Sequence, residues 1–125
     1  MFDAITGQLN IGCNNVTSLN GGIGIEVSSK SGDTANKAKI FNNFVSVKHS
    51  GSVTCTPLRM SYSHYVVVVH NNFRAECTYA SNLGVVTSYG SNILFSSNSI
   101  LNQNDGKAWH NVYSSTPNVI HSNHN

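Results

Sequence analysis

Apolar residues along this chain come in short runs, each soon broken by Gly, Ser, Asn or Asp. The runs are Ile23–Val27, Phe44–Val47, Tyr65–Val69, Val85–Thr87, Ile93–Phe95, Val112–Tyr113 and Val119–Ile120. Between them lie clusters such as Asn20-Gly21-Gly22, Ser50-Gly51-Ser52, Tyr89-Gly90-Ser91-Asn92 and Asn104-Asp105-Gly106. Runs rich in Val, Ile, Tyr and Phe between turn-forming residues predict strands. No long stretch keeps apolar residues at i, i+3, i+4 and i+7, as an amphipathic helix requires. The pattern predicts an all-β chain: a sandwich, a barrel or a solenoid.

An internal repeat separates these three. An apolar residue, a short polar step containing Asn and a second apolar residue recur together. The copies are Ile11-Gly12-Cys13-Asn14-Asn15-Val16, Ile40-Phe41-Asn42-Asn43-Phe44, Val69-His70-Asn71-Asn72-Phe73 and Phe95-Ser96-Ser97-Asn98-Ser99-Ile100. A fifth begins at Ile120-His121-Ser122-Asn123. Counted from Asn14, Asn42, Asn71, Asn98 and Asn123, the intervals are 28, 29, 27 and 25. Where two Asn are adjacent, the register is open by one residue. A hairpin architecture gives no reason for such a period. A parallel β-helix does, because each coil of about 27 residues carries three short strands and stacks on the next. Equivalent residues then lie ~4.8 Å apart, so one Asn per coil can form a hydrogen-bonded ladder. The apolar partners Val16, Phe44, Phe73 and Ile100 are expected to stack inward.

With these residues the chain resembles a right-handed parallel β-helix of the pectate-lyase-like type. Within that group it is most similar to the β-helical shafts of bacteriophage tailspikes and tail fibres. The Asn-apolar repeats and the stretch Gly21-Gly22-Ile23-Gly24-Ile25 carry the resemblance, from about Leu9 to Asn125. It implies a single β-helix segment over 1–125, about 4–5 coils of ~27 residues. It also implies a homotrimer, a place in the virion tail after assembly in a host cytoplasm, and bacterial surface polysaccharide as partner. The last repeat stops in mid-coil, so the expectation is a fragment of a longer chain, or ends covered by a partner.

Composition narrows the classes. Asn (18), Ser (18) and Thr (8) are abundant among 125 residues, yet only 10% are charged and 39% are apolar. Charge-driven disorder is excluded by that apolar share. A net charge of +2 with no Lys or Arg run gives no field for nucleic acid. The longest apolar run, Val66–Val69, is far short of a membrane-spanning helix, and no membrane insertion is expected. It reads as a strand buried on both faces, against a neighbouring subunit. Met1-Phe2-Asp3-Ala4 lacks a basic region followed by an apolar one, so no signal peptide is expected.

Scarce charge makes the charged positions easy to place. Glu76 lies five residues after Asn71, Asp105 seven after Asn98, and Lys48 and His49 six and seven after Asn42. Stacking would align them as one polar column, with Tyr79 and Trp109 close by. Glu76 and Asp105 could then act as a glycosidase carboxylate pair. Lys48, His49, Tyr79 and Trp109 would hold the sugar, the rings by stacking. The same column could equally be an exposed ladder of opposite charges.

Six His without an HxH or HExxH grouping predict no metal site, and no cofactor motif is present. Cys13, Cys55 and Cys77 are odd in number, lack CxxC spacing and differ in coil phase. They are expected to be small buried residues of a chain folded in a reducing cytoplasm. The leading expectation is a phage tailspike or tail-fibre module that recognises surface polysaccharide. The rivals are a polysaccharide hydrolase or lyase and a bacterial cell-surface adhesin.

Overall fold

A computed structural model describes residues 8–29, 32–79, 82–103 and 106–110, and the backbone of 111–112 and 120–123. Thirteen strands are formed: β1 (Asn10–Gly12), β2 (Asn15–Ser18), β3 (Gly22–Ser28), β4 (Ala38–Phe41), β5 (Phe44–His49), β6 (Cys55–Ser61), β7 (His64–Val69), β8 (Asn72–Cys77), β9 (Leu83–Ser88), β10 (Ser91–Ser96), β11 (Ser99–Asn102), β12 (Lys107–Val112) and β13 (Ile120–Asn123). There is no helix among the described residues.

Every third strand returns to the same sheet. The first sheet runs β1-β4-β7-β10-β13, the second β2-β5-β8-β11 and the third β3-β6-β9-β12. All the pairings are parallel. The chain is therefore a three-sided parallel β-solenoid. About three turns are complete in all three sheets, slightly fewer than the repeat count suggests, and β13 adds a further strand to the first sheet.

The strands of the first sheet and β8 bury alternate residues, as strands with one buried face do, whereas residues 55–58 of β6 and 84–87 of β9 in the third sheet are buried without alternation. In β8, Phe73, Ala75 and Cys77 point inward with no exposure, while Arg74 and Glu76 point out. Three columns of like residues fill the interior. The first sheet stacks Ile11, Ile40, Val68 and Phe95. The second stacks Val16, Val45, Phe73 and Ile100. The third stacks Ile25, Leu58, Val85 and Trp109. The Val66–Val69 run obeys the same alternation: Val66 and Val68 are buried, whereas Val67 and Val69 are half-exposed outside. The expected burial on both faces is not what the chain itself provides.

Single residues turn the corners. Cys13, Asn42, His70 and Ser97 have φ between 53° and 59° and bend the chain from the first sheet into the second. Ser29, Tyr62 and Tyr89, with φ between 50° and 54°, do the same from the third into the first. The Tyr62 and Tyr89 rings stack one coil apart, 4.9 Å between centroids.

The residue after each first-corner residue is the ladder Asn. Asn14, Asn43 and Asn71 each donate through Nδ2 to the carboxamide oxygen one coil on, all at 2.9 Å. Their backbone N–H groups donate to the same oxygens, at 3.0 to 3.1 Å. The second Nδ2 proton of Asn43, Asn71 and Asn98 reaches a carbonyl of the preceding coil, at Ile11, Ile40 and Val68.

Two ladder assignments are thereby corrected. The member in the second coil is Asn43, because Asn42 occupies the left-handed corner and is exposed. The same one-residue slip turns Phe44 outward and puts Val45 in the core, since neighbouring strand residues face opposite ways. Asn123 pairs with Ser96, two positions before the ladder residue Asn98.

The cysteines also differ from expectation. Cys55 and Cys77 form a disulfide, and Cys13 is free and exposed. Coil phase misses this pairing because the bond joins the end of β8 to the start of β6, on two different sheets, rather than following a stack.

Candidate functional site

On the outer face of the second sheet, strand register sets Lys48 opposite Glu76, while His49 pairs with the inward-facing Cys77 and is not level with Glu76 in the expected column. Lys48 Nζ lies 3.0 Å from Glu76 Oε2, and Arg74 Nε lies 3.1 Å from Oε1. Ser46 Oγ donates to Oε1 at 3.2 Å. Arg74 and Glu76 are two apart on one strand, hence on the same side, and the partners come from the neighbouring coil. The Lys48 hydrogen bond holds the Glu76 carboxyl below the usual glutamate range; partial burial opposes this, and the Arg74 charge and the Ser46 hydroxyl reinforce it. A glycosidase general acid needs the opposite shift.

The other members of the expected column part company. Asn102 pairs with Ala75 and the Gln103 N–H donates to the Ala75 carbonyl, so Gln103 is the residue level with Glu76. Asp105 lies outside the described residues. Trp109 is on the third sheet and turns inward, its ring 4.6 Å from that of Phe95 and its Nε1 donating to Thr87 Oγ1. It belongs to the core, not to a sugar platform. Tyr79 is exposed just beyond β8. Lys48, Glu76 and Arg74 thus form an ion network on a strand ladder.

A different surface offers a binding site. Two shallow grooves, of about 500 and 620 Å³, adjoin along the corner from the first sheet to the second and share Asn42 and His70. On one side Phe44, Asn72, Ser97 and Ser99 line the wall. On the other, Phe41, Val67 and Val69 make an apolar floor beside Lys39 and Asn10. The corner conformation explains the layout. Asn42 and His70 stand out from the left-handed turn, and strands leaving it in both directions present alternate side chains outward. The Phe41-Asn42-Asn43-Phe44 segment therefore aims a ring to each side of one ridge.

The site offers uncharged amides, hydroxyls and an imidazole beside apolar rings, repeated at coil spacing. That set can hydrogen-bond a row of hydroxyl groups while the rings cover C–H faces. The sequence signal was the pair of residues flanking each ladder Asn, which reads as structural until the ladder takes Asn43 and leaves Asn42 and Phe44 outside. Among the described residues no cluster of three or more His, Cys, Asp or Glu side chains could hold a metal. Comparison with protein-family models, curated proteins and solved structures finds no match.

Proposed function

We propose that this chain is a glycan-recognition module of a β-helical phage tailspike or tail fibre, of the right-handed pectate-lyase-like type, and that it binds bacterial surface polysaccharide. The observation carrying this reading is the pair of adjoining grooves that share Asn42 and His70 and flank them with Phe41 and Phe44. Coil spacing of ~4.8 Å is close to the length of one pyranose unit, so successive coils can meet successive sugars of an extended chain. Apart from Lys39, the lining is neutral polar groups beside apolar rings, a set that suits a hydroxyl-rich ligand. Glu76, held below the usual glutamate range by the Lys48 hydrogen bond, is committed to the ion network with Lys48 and Arg74 and is poorly suited to be a general acid. The tail location and the homotrimer belong to this proposal as well.

A cell-surface adhesin is the second reading, and the buried disulfide favours it, since such bonds persist in oxidising compartments. Affinity electrophoresis through gels containing capsular or O-antigen polysaccharide tests the shared claim. Retardation is expected, weakened in Phe44→Ala and His70→Ala, with no new reducing ends and a trimer mass by light scattering. Unretarded migration in every polysaccharide tested sinks glycan recognition. A monomer by light scattering sinks the tailspike form.

A further inference from the structure

Cys55 opens β6 and Cys77 closes β8, and between them the chain passes along all three sides of the solenoid. Their bond, with Cα atoms 6.0 Å apart and a sequence separation of 22, closes that coil into a covalent ring. Neither residue is exposed, and Asn82, beside them, is equally buried. Its Oδ1 accepts from the Cys55 N–H at 3.1 Å, and its Nδ2 donates to the Cys77 carbonyl at 2.7 Å. Asn82 is itself fixed. Its N–H donates to the Tyr79 carbonyl, and its own carbonyl accepts from the Lys107 N–H and from Asn102 Nδ2.

We propose that Asn82 is the positioning residue of a redox-set staple: its carboxamide holds the two cysteine backbones so that the folded chain favours the disulfide. Both of its polar ends are spent on the two residues to be joined, and neither bond depends on the sulfur atoms being linked. The coil therefore presents the thiols to each other before oxidation, as a high effective concentration. In the closing step the two thiols lose two protons and two electrons as the S–S bond forms. A small-molecule disulfide such as oxidised glutathione takes up the electrons by thiol–disulfide exchange and leaves as two thiols. Burial of both sulfurs makes exchange depend on local opening, so the closed staple resists reduction in the folded chain.

The test is equilibration of the full chain in glutathione buffers of graded redox ratio. The mixture is then quenched in acid, denatured and alkylated, and modified thiols are counted by mass. Wild type is expected to expose one thiol, Cys13, across the oxidising range. Asn82→Ala is expected to need a glutathione ratio about tenfold more oxidising for half-formation, with its far-UV circular dichroism unchanged. A merely structural Asn82 would lower the unfolding midpoint yet leave this ratio where it is while the chain stays folded. That unchanged ratio, or three alkylated thiols in wild type under oxidising conditions, overturns the proposal. If Asn82→Ala does not fold, Asn102→Ala removes the Nδ2 bonds to the Asn82 and Lys107 carbonyls and leaves the Asn82 carboxamide itself in place; a smaller shift in the same direction supports the role, and no shift overturns it.

Discussion

Asn43 and Asn71 share one hydrogen-bond joint twice over: the Asn71 Oδ1 accepts both the backbone N–H and the Nδ2 of Asn43, at 3.0 and 2.9 Å. Both residues are almost completely buried. Asn71→Ala would strand the two donors of Asn43 and take the Nδ2 donor away from the Ile40 carbonyl, while the Asn98 oxygen keeps the residue-71 N–H alone. Each stranded buried group costs about 1–3 kcal/mol, so a loss of about 3 kcal/mol or more is expected in urea unfolding. The neighbouring change Asn42→Ala removes an exposed side chain and leaves an alanine in a left-handed corner, at about 1 kcal/mol. Finding Asn42→Ala the costlier of the two would contradict the ladder assignment.

Glu76 sets a pH dependence with a definite sign. Its pKa is lowered in the folded chain by the Lys48 hydrogen bond first, against partial burial, with Arg74 and Ser46 adding to it. Near neutral pH the carboxylate is ionised folded and unfolded, and the ion network contributes in full. As pH falls through the ordinary glutamate range, the unfolded chain takes up the proton first, so the contribution fades and is gone below the folded pKa. Asp33, lowered by the Asn36 and Ala35 hydrogen bonds, acts in the same direction. The difference between wild type and Glu76→Gln isolates Glu76. That difference is expected to be about 1 kcal/mol or less at pH 7, to shrink in high salt and to vanish in strong acid. An equal difference at pH 7 and pH 2 would remove the ion network as its source.

Glycan affinity is expected to respond to Gly12, which touches no ligand in this reading. The Phe41 ring lies directly over its Cα, so a Cβ there collides with the ring. The ring is the far end of a movable side chain on the outer surface, and it can swing aside. Gly12→Ala is therefore expected to shift the melting temperature by only a few degrees, while displacing one wall of the groove and weakening polysaccharide retardation. Unchanged retardation would place the ligand on the Phe44 side alone.

The fold was legible because solenoid stacking repeats one physical requirement in every coil. The corner from the first sheet to the second needs a residue tolerant of positive φ, then an amide that can satisfy backbone groups above and below, then, after one outward residue, an inward apolar one. That requirement left a period near 27 and an Asn at this corner in each coil. The phase within a coil was not legible at Asn42-Asn43, where both residues suit both positions, and the slip carried Phe44 with it. The carboxylate column failed for a related reason. Counted from the ladder residues Asn43, Asn71 and Asn98, Lys48, Glu76 and Gln103 each lie five residues on and align, whereas Asp105 lies seven on, and a two-residue difference is a full side-chain repeat along a strand. Lys48 and Glu76 survived because the one-residue slip at Asn42-Asn43 brings their phases into agreement. The disulfide was beyond reach, since its two residues lie on different sheets, at the end of β8 and the start of β6, and share no phase.

Gly24 gives the sharpest test of the packed interior. It sits in β3, in the Gly-rich stretch that carries the resemblance to β-helices, and its backbone is not in the left-handed region. Its role is close approach. A Cβ there would collide with Val45 Cγ1 of the second sheet, and would lie 2.8 Å from the Pro57 carbonyl oxygen and 3.2 Å from Val47 Cγ2. Val45 and Val47 are fully buried and Pro57 contributes backbone, so nothing nearby can swing clear as Phe41 can. Over-packing of this kind costs about 1–3 kcal/mol. Gly22, two residues earlier, has φ +88 and open space around the Cβ position. Its alanine variant meets backbone strain alone, about 1–2 kcal/mol. Pairing each glycine variant with Val45→Ala separates the two causes. Removing the Val45 methyls should relieve much of the Gly24→Ala penalty in a double-mutant cycle and leave the Gly22→Ala penalty untouched. Additive energies for Gly24→Ala and Val45→Ala would show that the second and third sheets do not pack at this point.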